Sequence, residues 1–231
     1  MEIGAIAGDS YEYAKESVWE KWGRWILLLI AYLINTFTFD IIPLFSGYLL
    51  RVLSGTKPAP EIDDWWKLFI DGWKVNLITI VYFIIPLVIG ALIVGISYIP
   101  SIIASGISGG SPDILAAGLG ASVIIGIFAA IFIAFVFALF YLMGLIRFAK
   151  TGSMGEAFNF KAILAHIGSI GWGSYILSLI VLIVILIVAA IILSIIMIIP
   201  VLGIIIFFVL QPPISIFSAR YLTAVYESAP A

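Results

Sequence analysis

Three stretches of this chain, Val75 to Ile99, Leu119 to Ile146 and Trp172 to Ile199, hold no charged side chain, and a fourth, Val201 to Leu222, holds only Arg220. Each exceeds the roughly 18 to 20 apolar residues that a helix needs to cross a bilayer. A water-soluble core could not hide four such runs. The composition agrees, with 64% hydrophobic and 10% charged residues and a mean hydropathy of +1.25. Soluble domains average roughly 45–50% apolar and 25% charged. Because every backbone polar group must be satisfied within lipid, the runs are expected to be helices. The fold class is therefore an all-α integral membrane protein, a helical bundle of four clear spans.

The N-terminal block Trp25 to Leu50 is interrupted by Asn35, Asp40 and Pro43 and admits two readings. One is a single broken span. The other is a re-entrant hairpin that turns at Pro43 and leaves on the side where it entered. The Lys and Arg residues cluster in the connections after Leu50, between the second and third spans and at the two ends of the chain, and such loops are expected on the cytoplasmic side. The hairpin would bring all 11 basic residues to that side. The segment Ile41-Ile42-Pro43-Leu44-Phe45-Ser46-Gly47 also resembles the turn Ile198-Ile199-Pro200-Val201-Leu202-Gly203. Against this, Arg51 to Gly55 and Arg147 to Gly152 each close an apolar segment. That divides the single membrane domain 1–231 into an N-terminal amphipathic helix 1–24 and two repeat-like units, 25–104 and 118–222.

Interfacial helices are expected beside the spans. Asp9 or Ser10 can cap a helix to Arg24 whose apolar stripe includes Tyr11, Ala14, Val18, Trp22 and Trp25. After Lys57-Pro-Ala-Pro60, Ile62, Trp66, Phe69 or Ile70, and Trp73 share one face of a helix expected to lie in the membrane plane. Its opposite face carries Asp63, Lys67 and Asp71 at four-residue steps, a ladder of opposite charges. Ser153-Met-Gly-Glu156 matches a capping box and gives a further helix to about His166 a defined start. The aromatic belt residues are Trp22, Trp25, Trp66, Phe69 and Trp73.

Several chemistries have no residues to carry them. With no cysteine and one histidine, His166, the chain lacks thiol catalysis, disulfides and Cys-based zinc sites. A net charge of −2 without a basic tract gives no footprint for nucleic acid. No catalytic signature, metal site or cofactor motif stands out. His166 and Ser169 are close enough to meet on a helix but lack an orienting third group.

Three features could carry function. Asp40 lies in an apolar run, where a carboxylate must be paired or hydrated, and Asn35 lies a little more than a turn before it. Gln211-Pro212-Pro213 interrupts the last span, either as a kink or as a polar break of the kind that lines transporter sites. Gly118, Ser122, Gly126, Ala130, Ala134 and Ala138 place a small residue at every fourth position along the span Leu119 to Ile146, which suits close helix packing within or between protomers. These residues fit a non-enzymatic accessory or scaffold protein that self-assembles, as a homo-oligomer, or joins a larger membrane complex. The alternative is an ion or small-solute channel or transporter using Asp40, Asn35 and Gln211.

The residues Ile3-Gly4, Ile6, Asp9-Ser10, Gly47-Tyr48-Leu49-Leu50-Arg51, Leu53, Gly55, Pro60, Asp64, Trp65, Leu68-Phe69, Asp71-Gly72 and Lys74, continued by Arg147 and Thr151-Gly152-Ser153, resemble an uncharacterised, largely archaeal family of polytopic membrane proteins classed as a domain of unknown function. The Gly-Tyr-Leu-Leu-Arg to Asp-Gly block is its most specific part. The resemblance implies a multi-pass protein of a prokaryotic, archaeal cell membrane and transfers no activity.

Overall fold

The computed structural model describes residues 2–108 and 112–229, while the side chains of 97, 98, 100–102 and 104–123 lie outside that description. Among the described residues eight α-helices follow one another: α1 Ile3–Val18, α2 Trp22–Phe37, α3 Leu44–Leu53, α4 Trp65–Ser108, α5 Pro112–Thr151, α6 Phe160–Ile170, α7 Trp172–Ile196 and α8 Leu202–Glu227. A short 3₁₀ turn, Met154–Phe158, precedes α6, and there is no strand among the described residues. Among the described residues four helices are long and apolar enough to cross a membrane, over Trp65–Ile96, Ile124–Thr151, Trp172–Ile196 and Leu202–Glu227. Large apolar side chains such as Leu87, Phe128, Phe132 and Ile195 face outward along them. Water would not tolerate apolar surface on that scale, whereas lipid is its natural solvent.

The N-terminal block is a hairpin. At 1.5 Å per residue α2 extends about 24 Å and α3 about 15 Å, so neither crosses roughly 30 Å of hydrocarbon alone. Arg24, at the start of α2, donates to the Ala59 carbonyl and to Glu61, both beyond the end of α3. Asn35, near the end of α2, accepts from the Ser46 amide near the start of α3. The chain thus leaves the hairpin beside its point of entry. The turn is made by Phe39 and Asp40 with φ of 51° and 60°, a left-handed pair that reverses the chain before Pro43 opens α3. The related Pro200 segment does the same work between α7 and α8, with Val201 at φ 63°.

The chain forms two compact units, Ile78–Tyr141 and the remainder on either side of it. In the larger unit, Tyr13 and Val18 of α1, Leu28 of α2, Phe45 and Tyr48 of α3 and Ile216 of α8 share one buried core. The family-like block builds the junction of α3 with α4. Gly47 lies against the Leu68 backbone and Gly72 against the Pro43 carbonyl, so close that neither position leaves room for a Cβ. Tyr48 Oη donates to the Pro60 carbonyl at 3.1 Å and Arg51 Nη1 to Asp63 Oδ1 at 2.6 Å. In the smaller unit α4 and α5 pack through Tyr82 and Phe83 on Tyr141, with Thr79 Oγ1 hydrogen-bonded to the Tyr141 hydroxyl.

Four local expectations are corrected. The first helix begins at Ile3, not at Asp9 or Ser10, and stops at Val18, where Glu20 takes φ 59°. Asp9 does not cap it because its carboxylate is engaged by Lys57 and Arg220. The aromatic segment around Trp66 is not a separate in-plane helix but the opening of α4, because no breaker separates Lys74 from Val75. The ladder of Asp63, Lys67 and Asp71 does not form. Asp63 precedes the helix and pairs with Arg51, and Asp71 pairs with Lys74. The capping box is likewise absent. Glu156 turns to Arg147, a charge-assisted pair stronger than a bond to one amide, and Asn159 instead caps α6 by accepting from the Ala162 amide.

Candidate functional site

Two gatherings of polar side chains in the larger unit centre on Asp40 and on Arg220. The first is the hairpin turn. Asn35 Nδ2 donates to Asp40 Oδ1 at 2.6 Å, Ser46 Oγ donates to the same oxygen at 3.1 Å, and Asn76 Nδ2 donates to the Asp40 carbonyl at 2.8 Å. Asp40 is exposed and Asn35 buried. The carboxylate therefore serves as an acceptor that closes the turn and ties α2, α3 and α4 together. No hydrogen bond joins Gln211 to this group among the described residues, so the three residues expected to form a polar path are not brought together.

The second gathering is ionic. Arg220 is only 4% exposed on α8, yet its guanidinium donates through Nε to Asp9 Oδ2 at 2.9 Å and through Nη1 to Glu227 at 3.3 Å. Lys57 reaches the other Asp9 oxygen at 2.8 Å, and Lys150 reaches Glu227 at 2.7 Å. Asp9 thereby joins α1, the loop after α3 and α8. Burial pushes the Asp9 carboxyl up, but the hydrogen bonds and charges of Lys57 and Arg220 outweigh it and hold the group below its usual range. A lone cation near the end of an apolar helix demands a partner. The structure supplies Asp9 and Glu227, far apart in sequence from each other.

Pro212 and Pro213 lie inside a continuous α8 and do not divide it. Proline at 213 has no amide to give the Val209 carbonyl four residues earlier. The Trp25 indole donates to that carbonyl at 3.0 Å. The carbonyl freed by the proline is thus satisfied from the neighbouring helix α2.

The other sequence candidates separate by location. Trp22 stacks on Trp25 at 5.5 Å, and Trp66 on Phe69 at 5.6 Å, with Trp22 and Trp66 exposed and Trp73 at the margin of exposure. In the small-residue row, Gly118 and Ser122 lie outside the described side chains. Gly126 is buried, Ala134 and Ala138 are half-buried, and Ala130 faces Gly90 of α4 so closely that a Cβ on Gly90 would come within 2.8 Å of it. His166 Nε2 donates to the Tyr226 carbonyl at 2.9 Å and its ring stacks on Tyr226. Burial pushes this imidazole down. Ser169 Oγ donates to the His166 carbonyl, so hydroxyl and imidazole do not form a dyad. No group of three or more His, Cys, Asp or Glu that could hold a metal occurs among the described residues.

A family model described as a protein of unknown function, DUF4013, matches residues 27–198, from α2 to just beyond α7. The chain belongs to the DUF4013 family. No curated protein and no solved structure matches it. The match to DUF4013 takes in the hairpin from residue 27 onward, the Gly47–Gly72 junction and the turn polar group, whereas Asp9, Arg24, Trp25, Arg220 and Glu227 lie outside it.

Proposed function

We propose that this protein is a non-enzymatic accessory or scaffold component of a cell membrane, associated with copies of itself or with a larger membrane complex. The supporting observation is how its polar groups are used. Asp40 and Asn35 close the hairpin turn, Arg220 ties α1 to α8 through Asp9, and Trp25 covers the carbonyl freed by Pro213. Each strengthens a helix junction within the larger unit, whose long helices keep apolar outer faces. The concentration of Lys and Arg in the larger unit supports a cytoplasmic setting for that ionic end. The sequence resemblance supports a prokaryotic, archaeal membrane.

Gln211 favours the second reading, a channel or transporter, since it is half-buried beside Pro212 with no hydrogen-bond partner among the described residues. Native mass spectrometry of the protein, extracted with its own lipids, separates the two. A stoichiometric foreign subunit or a closed, pore-free oligomer is the expected result. A monomer that carries solute flux in proteoliposomes overturns the scaffold reading.

A further inference from the structure

An open cleft of about 320 Å³ lies among the end of α3, the first turns of α4 and the end of α5. Arg51, Lys67, Asp71 and Lys74 line one part of it, and Leu50 and Phe148 another. Inside it, three cations meet one carboxylate. Lys74 Nζ is held 2.8 Å from Asp71 Oδ1, and Arg51 is held by Asp63. Lys67 is exposed and makes no ion pair among the described residues. The cations that line the cleft outnumber its carboxylate three to one, and Lys67 at its edge is in no ion pair among the described residues.

Its place in the fold narrows the ligand. The α4 span begins at Trp65 and the α5 span ends at Thr151, so the cleft lies where the spans meet the headgroups. The stacked Trp66 and Phe69 flank Lys67 on α4, in the manner of aromatic residues at a membrane interface. A free phosphate would use only the cations. An amphiphile would use both walls, its phosphate among Lys67, Lys74 and Arg51 and the start of its acyl chain along Leu50 and Phe148. Basic pockets between membrane helices take anionic headgroups on this principle. We infer that the cleft binds the phosphate headgroup of an anionic phospholipid. The inference needs only membrane residence and is independent of the scaffold reading.

Native mass spectrometry of the delipidated full chain, titrated separately with phosphatidylglycerol, phosphatidylcholine and inorganic phosphate, tests it. Phosphatidylglycerol is expected to bind in preference to phosphatidylcholine. Lys67→Glu should weaken it about tenfold or more, while Lys161→Glu, the same charge change at an exposed lysine outside the cleft, should leave it within about twofold. Lys67 is exposed, so its variant should melt as the parent does, and Lys67→Gln gives a milder second test with a smaller loss in the same direction. Equal losses in the two Glu variants would reduce the effect to general surface charge and overturn the site. Equal binding of the two lipids would overturn it too, and phosphate binding as tight as that of phosphatidylglycerol would overturn the lipid assignment in favour of a free anion.

Discussion

The Trp25 indole hydrogen-bonds the Val209 carbonyl, the acceptor left without an in-helix donor by Pro213. A weakness built into α8 is thus repaired by a side chain from α2, 184 residues earlier in sequence. Removing the indole donor while keeping an aromatic ring should expose the defect. Trp25→Phe is expected to lower stability in detergent by about 1 kcal/mol, the scale of hydrogen bonds between membrane helices. Pro213→Ala restores an amide four residues after Val209, so the Trp25→Phe change should cost less in that background. A double-mutant cycle on thermal unfolding measures the difference, and strictly additive effects would break the link between the two residues.

The Gly47 and Gly72 contacts make a second prediction. Their missing side chains let α3 and the start of α4 meet backbone to backbone, and the obstructing atoms are main-chain atoms that cannot swing away. Gly47→Ala and Gly72→Ala should each cost about 1 to 3 kcal/mol or prevent folding. Gly23→Ala, where nothing lies within 4 Å, is the control and should be neutral or slightly stabilising. Thermal unfolding of the three variants decides the matter. Comparable melting temperatures would mean that the junction is looser than drawn.

The spans were legible because an 18-residue apolar run has few alternatives in lipid, whereas the N-terminal block admitted both a hairpin and a broken span until the contacts of Arg24 and Asn35 made it a hairpin. What escaped the sequence were choices among competing polar partners. Ser153 and Glu156 match a capping pattern, but the pattern is blind to Arg147 arriving from the preceding helix. Asp9 looked like a helix cap until Arg220, 211 residues away, claimed its carboxylate. The stop at Val18 carries no Gly or Pro, so local propensity gave no warning of it. Asp40 was visible as an anomaly, and its partner Asn35 was named beside it. Asn76 was legible as a further polar residue of the apolar runs, but Ser46 was not singled out, because only the turn brings it near.

Asp9 also predicts a dependence on pH. Its carboxyl is held below the ordinary range in the folded chain, so folding favours the charged form. That contribution is fully present above the unfolded pKa, at about pH 4 and higher, and disappears as pH falls through the lowered folded value. Asp9→Asn should therefore melt earlier than the parent at pH 6, and the gap should close as the pH is taken towards about 2. A gap that stays constant with pH would assign the stabilisation to contacts other than the ion pairs with Lys57 and Arg220.

Asp40 separates shape from transport most directly. Its backbone is left-handed at φ 60°, a conformation that Asn adopts readily, and an Asn at 40 keeps a carbonyl oxygen to accept from Asn35 and Ser46. Asp40→Asn should consequently fold with a stability change of no more than about 0.5 kcal/mol. Asp40→Leu loses the acceptor and pays the left-handed penalty as well, and should cost about 1 to 3 kcal/mol. If the carboxylate serves only the turn, Asp40→Asn leaves assembly and any measured proteoliposome flux unchanged. A well-folded Asp40→Asn protein that loses a flux shown by the parent would mean that the charge itself is used, and the hairpin turn would then be the place to look for an ion path.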